Sequence, residues 1–356
     1  MTLQLQPLSD YEFQNRRRTT LLGYPRYSKK TGLILEGFAA LQEVPASTHL
    51  NKGRDNDVLG SLSLALGAQA GGSIELLHLM FSSGDSANNM RVFFPQALDY
   101  WQEYADLHLK FHASPSSTYR TPHLDLHDTD YWKAIRLTSF ALLLGHHTLL
   151  PQIAALWDYE NDELDGLLER LVAPFAPGRA TPPDTCTRHL PYFKLLKVFA
   201  AEPHKRPDLM ARYMDGWYTA SRREPYYESH TKGRDHSFLG NCAFEAAAVT
   251  YLLDIDDSSY RNHEFYPRDL IDFARSLLRP VEIGGSPTTM SPGVGAGEPL
   301  RCPAGQPCPK AGWWFAPADP SSRRVFKVDE VMPDLPSAYG KTIWQFEAQQ
   351  SDGSAT

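Results

Sequence analysis

The sequence predicts a mainly all-α protein, a helical bundle with two pseudo-repeated helical units, followed by a small C-terminal Pro/Trp-rich β module. Apolar residues recur with the period of a helix along most of the chain, and convincing alternating strands are absent before residue 300. With 356 residues, of which 42% are apolar and 22% charged, the chain is long enough and apolar enough to bury a substantial core.

Helical spacing of apolar residues is clearest in three segments, where it places them on one face of a helix. These residues are Leu164, Leu167, Leu168 and Leu171; Tyr192, Leu195, Leu196 and Phe199; and Phe238, Cys242, Ala246, Val249 and Leu253. Asn161 lies ahead of the first set and is its predicted N-cap. Further helices are predicted near 33–45, 58–80, 95–110, 131–149, 207–221 and 267–279.

Proline and glycine divide the chain into candidate units. The stretch 284–299 has the composition of a flexible linker, and the short β-prone runs RRVFKV and KTIWQF follow it. The predicted organisation is an N-terminal helical unit at 1–119, a C-terminal helical unit at 120–283, the linker at 284–299, a β-prone module at 300–348 and a tail at 349–356.

A nine-residue phrase occurs twice, as KGRDNDVLG from Lys52 and as KGRDHSFLG from Lys232. Similar Phe-aromatic-Pro segments follow both copies, which indicates a duplicated helical unit. Within the phrase, glycine permits a turn, aspartate can cap the next helix, and arginine can pair with a carboxylate. We therefore predict a structural role for Arg54, Asp55, Gly233, Arg234 and Asp235. A basic loop that binds a phosphate at a helix N-terminus is the alternative.

Glu245 falls on the apolar stripe of its predicted helix, where a carboxylate needs a partner. We predict a buried ion pair with Arg234 or Arg268, and a catalytic carboxylate is the alternative.

Charge and composition exclude several classes of protein. The formal net charge is -7, which argues against direct binding of nucleic acid and is compatible with a basic protein partner. No apolar stretch approaches the length of a membrane span, and the N-terminus has no secretory leader pattern. Four cysteines are too few for a disulfide scaffold, so we expect a cytoplasmic protein.

Candidate metal ligands are present but poorly arranged. His127-Asp128 resembles the His-Asp pair of helical metal-dependent phosphohydrolases, and His146-His147 lies further along the chain. Adjacent residues on a helix point to different faces, however, and no complete ligand set follows. Cys302 and Cys308 form a C-x5-C pair without two further zinc ligands, so a short disulfide and two free thiols are both open. We expect no metal and no cofactor.

Acidic residues concentrate in two segments. The residues in question are Asp158, Glu160, Asp162, Glu163 and Asp165 in the first, and Asp254, Asp256 and Asp257 in the second. Each segment is either a solvated surface or a patch that captures a basic protein by electrostatic steering.

Residues 233–270 resemble the sequence pattern of PoNi-type immunity proteins. The matching elements are Gly233-Arg234-Asp235, Gly240, Phe244-Glu245-Ala246-Ala247-Ala248, Ile255-Asp256-Asp257 and Tyr266-Pro267-Arg268-Asp269-Leu270. Asn241-Cys242 departs from the aromatic pair that the family usually has there. The C-terminal module resembles tails on other proteins of interbacterial toxin systems.

The resemblance implies a cytoplasmic, mostly α-helical, non-enzymatic antidote that binds and blocks a nuclease toxin delivered between bacteria, typically by type VI secretion. Antidotes of restriction-endonuclease-like toxins are a related possibility. We expect the pattern itself, including Glu245, Tyr266 and Pro267, to define the fold, and the two acidic segments to contact the toxin. A metal-dependent phosphohydrolase and an adaptor that loads effectors are the alternative functions.

Overall fold

A computed structural model shows two compact units, residues 1–281 and residues 282–356. The structure describes residues 6–42, 55–113, 120–128, 130–232, 237–277, 301–316, 319–335 and 342–346. The first unit is helical and the second contains a small sheet. The predicted mainly all-α class with a C-terminal β module is therefore confirmed.

The described part of the first unit contains eleven α-helices. They are α1 (Asp10–Arg16), α2 (Tyr24–Gln42), α3 (Asp55–Ser83), α4 (Ala87–His112), α5 (Tyr131–Leu143), α6 (Leu150–Asp158), α7 (Gly166–Val172), α8 (Phe193–Ala200), α9 (Arg206–Ala220), α10 (Phe244–Leu252) and α11 (Arg268–Leu277). The six regions predicted as further helices all contain helix, which confirms those predictions.

Helix α5 lies at the centre of the first unit. All of its residues except Lys133 are buried, and it packs against α3, α4, α6, α7, α10 and α11. A helix that is buried on every side has to be surrounded by other elements. Its hydroxyl groups are satisfied within the helix, since Thr138 and Ser139 donate to the carbonyl oxygens of Ala134 and Ile135. The core of the unit is thus built around one helix that is almost completely buried.

Two details of the predicted helices are wrong. The stripe from Phe238 to Leu253 is not one helix, because residues 237–243 are non-helical and α10 starts at Phe244. Asn161 does not cap α7, whose N-cap is Asp165. The Asn161 side chain instead donates to the carbonyl oxygens of Leu124 and Trp157 and accepts from the Leu126 backbone N–H. Local spacing could not distinguish this tertiary role from capping.

The two copies of the repeated phrase lead into different local structures. After the first copy, Asp55 is itself the first residue of the 29-residue α3. After the second, seven non-helical residues precede the 9-residue α10. Pro95 lies inside α4, whereas its counterpart Pro267 lies directly before α11. The duplication therefore remains a prediction about the origin of the chain.

The described part of the second unit is a four-stranded antiparallel sheet with the order β1-β4-β2-β3. Its strands are β1 (Arg301–Pro303), β2 (Gly312–Ala316), β3 (Asp319–Phe326) and β4 (Ile343–Phe346). Trp314 and Trp344 lie in its core, and their indole N–H groups donate to the carbonyl oxygens of Lys310 and Pro333. Both predicted β-prone runs contain strand. The predicted linker at 284–299 and tail at 349–356 lie outside the described residues.

Gly84 ends α3 with a left-handed backbone (φ 87°), and a Cβ added there would lie 1.9 Å from the carbonyl oxygen of Arg16. Gly178 has the same conformation (φ 88°), but its Cβ would meet no atom within 4 Å. Alanine at either position carries the left-handed penalty of about 1–2 kcal/mol. We predict that G84A loses a further ~1–3 kcal/mol to the steric clash.

The measurement is urea denaturation of wild type, G84A and G178A. Equal losses of unfolding free energy in the two variants would show that the contact between Gly84 and Arg16 is not close.

Candidate partner-binding surface and buried polar network

Asp165 is a buried structural residue rather than part of an exposed acidic face. It is 1% exposed and caps α7 by accepting from the backbone N–H groups of Leu167 and Leu168 at 3.0 and 2.9 Å. It also accepts from Thr187 and from the Tyr131 hydroxyl. Burial raises the pKa of Asp165, and these hydrogen bonds offset only part of the rise. The prediction that this carboxylate is exposed is wrong.

Arg179 neutralises two carboxylates beside that cap. It binds Asp158 through two hydrogen bonds of 2.8 Å and also pairs with Glu169, which is 1% exposed. The hydrogen bonds that Arg179 donates to Asp158 and Glu169 raise its pKa above the ordinary value. Asp158 is thus exposed but already paired, so it contributes little free negative charge to the surface.

The exposed charge of the first segment comes from Glu160, Asp162 and Glu163. Glu160 lies 3.5 Å from Arg120 in a loose surface pair and has a left-handed backbone (φ 57°). Asp162 and Glu163 form no ion pair with any described residue. These two side chains are the parts of the segment best placed to attract a basic partner.

The second segment divides in the same way. Asp257 is 5% exposed and holds Arg261 and Arg275 at 3.0 and 2.9 Å, so the prediction of exposure is wrong for it too. Asp254 and Asp256 are exposed. Asp256 accepts from the backbone N–H and hydroxyl of Ser258, and these hydrogen bonds lower its pKa. Within the described part of the chain, no hydrogen bond or ion pair joins the two acidic segments.

Glu245 is fully buried and forms an ion pair with Arg136 of α5 at 2.5 Å. Its second oxygen accepts from the Tyr213 hydroxyl at 2.9 Å and the Trp217 indole N–H at 2.6 Å, both on α9. The predicted buried ion pair is therefore confirmed, but the predicted partners Arg234 and Arg268 are wrong. Arg268 is exposed, and Arg234 lies outside the described residues.

The surroundings of Arg136 explain how its charge is tolerated. The guanidinium lies 5.1 Å from the ring centres of Tyr226 and Phe244, which supply cation–π stabilisation. Burial alone would lower the pKa of Arg136, but the Glu245 carboxylate outweighs it and raises the pKa. With its oxygens occupied and no solvent contact, Glu245 acts as a structural carboxylate in α10.

The remaining pattern residues are placed as follows. Tyr266 is 5% exposed and packs edge-on against Tyr260, and Pro267 is buried directly before α11. Arg54 and residues 233–235 lie outside the described residues, as does the Asp55 side chain.

Tyr266 also lines a cleft of about 420 Å³ in which Arg18, from the segment after α1, binds Asp269 of α11 at 2.6 Å.

Sequence reasoning missed a cluster of three buried histidines. His108 and His112 of α4 contact each other through their Nε2 atoms at 2.8 Å, and His108 contacts His123 through the Nδ1 atoms at 3.0 Å. Burial lowers the pKa of His108 and of His123 to about 4. The available signal was the spacing H-x-x-x-H in a helical segment, which places two imidazoles on one face.

The predicted candidates for a metal site do not converge. His127 and Asp128 are exposed side by side, and no group of three or more His, Cys, Asp or Glu side chains within the described ranges could hold a metal ion. Cys302 and Cys308 are free thiols, which settles the two alternatives for this pair. No helix in the described residues is long and apolar enough to cross a membrane.

Comparison with known proteins identifies one family region. The family model described as the C-terminal region of PoNe immunity proteins (PoNi) matches residues 163–270. The matched region runs from just before α7 to the first turn of α11 and includes Asp165, Glu245 and Asp257. The match supports a role as an immunity protein. No curated protein matches the sequence at a significant level.

A solved structure has a similar fold. The crystal structure of protein PA2201 from Pseudomonas aeruginosa superposes with a TM-score of 0.60 at 19% identity, over 74% of this chain and 92% of that protein. At this identity the likeness establishes the fold alone.

Breaking the buried ion pair should be strongly destabilising. We predict that E245Q and R136M each lower the free energy of unfolding by about 3–5 kcal/mol, because each leaves one buried charge without its partner. The double variant R136M/E245Q should lose less than the sum of the two, since neither charge then remains. Urea denaturation of the four proteins gives the coupling energy, and strictly additive losses would refute the coupling.

The buried His78 should make stability depend on pH. Burial, together with the positive charges of Arg136 and Lys30, lowers the pKa of His78 well below its ordinary value. The folded protein keeps His78 neutral, whereas the unfolded chain binds a proton as the pH falls through about 6.5, so stability is lost below that pH. We predict that H78L reduces the slope of stability against pH by about 1.4 kcal/mol per pH unit between pH 6 and 5.

The matched control is L77A, which removes a fully buried apolar side chain next to His78. It should lower stability at every pH and leave the slope unchanged. An H78L protein with the wild-type slope would show that His78 is protonated in the folded state.

Proposed function

We propose that this chain is an immunity protein that binds and neutralises a cognate antibacterial nuclease toxin delivered by a type VI secretion system. It acts in the cytoplasm by protein–protein contact and not by catalysis. The match of residues 163–270 to the PoNe immunity family carries the proposal. The nature of the toxin and its route of delivery come from the resemblance in residues 233–270 and extend beyond that match.

The acidic surface supports a basic partner. Asp162, Glu163, Asp254 and Asp256 are exposed, and in the described residues none of them forms an ion pair. Nucleases carry basic residues around the cleft that binds the phosphate backbone, so carboxylates can occupy the same positive surface. Charges of this kind raise the rate of association and select the correct partner.

The burial of Glu245 supports a structural role rather than a catalytic role for the family pattern. Glu245 has no access to solvent, and its oxygens are occupied by Arg136, Tyr213 and Trp217. A carboxylate in this state cannot reach a substrate. The pattern therefore specifies the packing of α5, α9 and α10, and recognition is left to the surface.

Co-expression with the product of the adjacent toxin-like gene tests the proposal. Cells that make both proteins should survive, cells that make the toxin alone should die, and the two proteins should co-purify. Death of the co-expressing cells would refute the role of the chain as an antidote to that toxin. Survival without a complex would refute the binding mechanism and favour an enzymatic antidote.

Charge reversal should weaken toxin binding. We predict that D162K/E163K/D254K/D256K slows association at least tenfold at low salt and flattens its salt dependence, because it removes the field that steers the encounter. Stopped-flow or surface-based kinetics at two salt concentrations provide the measurement.

The matched control reverses charge at four other exposed acids, namely Asp99 on α4, Glu202 before α9, and Asp208 and Asp215 on α9. That variant should bind more nearly as the wild type does. If both variants bind at the wild-type rate, the acidic segments are not the interface, even if the antidote function holds.

A further inference from the structure

The histidine cluster on α4 has the geometry of a metal-binding face. His108 Nε2 and His112 Nε2 are 2.8 Å apart, and Thr121 Oγ1 lies 3.1 Å from the first and 3.3 Å from the second. Metal–ligand bonds of about 2.0–2.1 Å put neighbouring donors roughly 3.0 Å apart in an octahedron and roughly 3.4 Å apart in a tetrahedron. The three observed separations fall in or near that range.

We propose that His108 and His112, with the Thr121 hydroxyl, bind a divalent transition-metal ion of the class that prefers imidazole, such as Zn²⁺ or Cu²⁺. Two imidazoles favour such ions over Mg²⁺ and Ca²⁺, which take oxygen ligands. The spacing of four residues on one helix brings both rings to the same side. Water supplies the remaining ligands.

His123 contacts His108 through the ring nitrogen that does not face the proposed ion. Its Nδ1 lies 3.0 Å from His108 Nδ1, and its ring stacks on Tyr159 with the centroids 4.2 Å apart. If His108 carries its proton on Nδ1 and donates it to His123, its Nε2 keeps a free lone pair for the ion. Metal-binding histidines usually donate a hydrogen bond from their other ring nitrogen, which fixes the tautomer and the orientation of the ring.

The site is accessible as well as formed. His108, His112 and His123 are 6%, 8% and 5% exposed, and all three line a cleft of about 800 Å³ beside α3.

The experiment uses untagged full-length protein treated with a chelator and then titrated with Zn²⁺ by calorimetry at neutral pH. We expect one ion per chain. H112Q should weaken binding at least tenfold, and H123Q should weaken it less. H204Q changes an exposed histidine in the turn before α9 and should bind as the wild type does. Circular dichroism checks that each variant is folded.

Electron paramagnetic resonance of the Cu²⁺-loaded wild type provides a readout that needs no variant. Hyperfine coupling to two nitrogen atoms is expected, and H112Q should reduce it to one. Absence of binding by both ions, or equal affinity of wild type and H112Q, would overturn the proposal and leave the cluster as hydrogen-bonded histidines only.

Discussion

The buried ion pair between Arg136 and Glu245 is the constraint on which the helical unit depends. It joins α5, the most buried helix, to α10, and the Tyr213 and Trp217 side chains extend it to α9. Two charges removed from water are tolerated only if their geometry and remaining hydrogen bonds are satisfied. The positions of three helices around one point are therefore coupled, and a shift of any one would expose or unpair a charge.

A second set of buried carboxylates joins neighbouring segments of the chain. Asp165 caps α7 and binds Thr187, Glu169 holds Arg179, and Asp257 holds Arg261 and Arg275. Several carboxylates that the sequence predicts to be exposed are thus buried or paired in the structure. What remains outside is a smaller group of acids, which can vary without disturbing the core. This separation suits a protein that keeps one fold and recognises one partner.

The fold class and most helices could be predicted because apolar spacing is a local property of the sequence. Glu245 could be recognised as buried for the same reason. The identity of its partner could not be predicted, because Arg136 is 109 residues away and only the packing of α5 against α10 brings the two together. The burial of Asp165 and Asp257 could not be predicted for the same reason, since their partners Thr187 and Arg275 are 22 and 18 residues away. The histidine cluster depends on a loop residue, Thr121, that no helical period can place beside α4.

Under the proposed function, the chain neutralises its toxin by forming a stoichiometric complex. The most direct measurement is the residual nuclease activity of the purified toxin as the purified chain is added in known amounts. A stoichiometric inhibitor produces a linear loss of activity that ends at a fixed ratio of chain to toxin and does not depend on incubation time. Complete protection by a small fraction of an equivalent of the chain, increasing with time, would contradict stoichiometric inhibition because it would show turnover. Undiminished nuclease activity in an excess of the chain would contradict inhibition altogether.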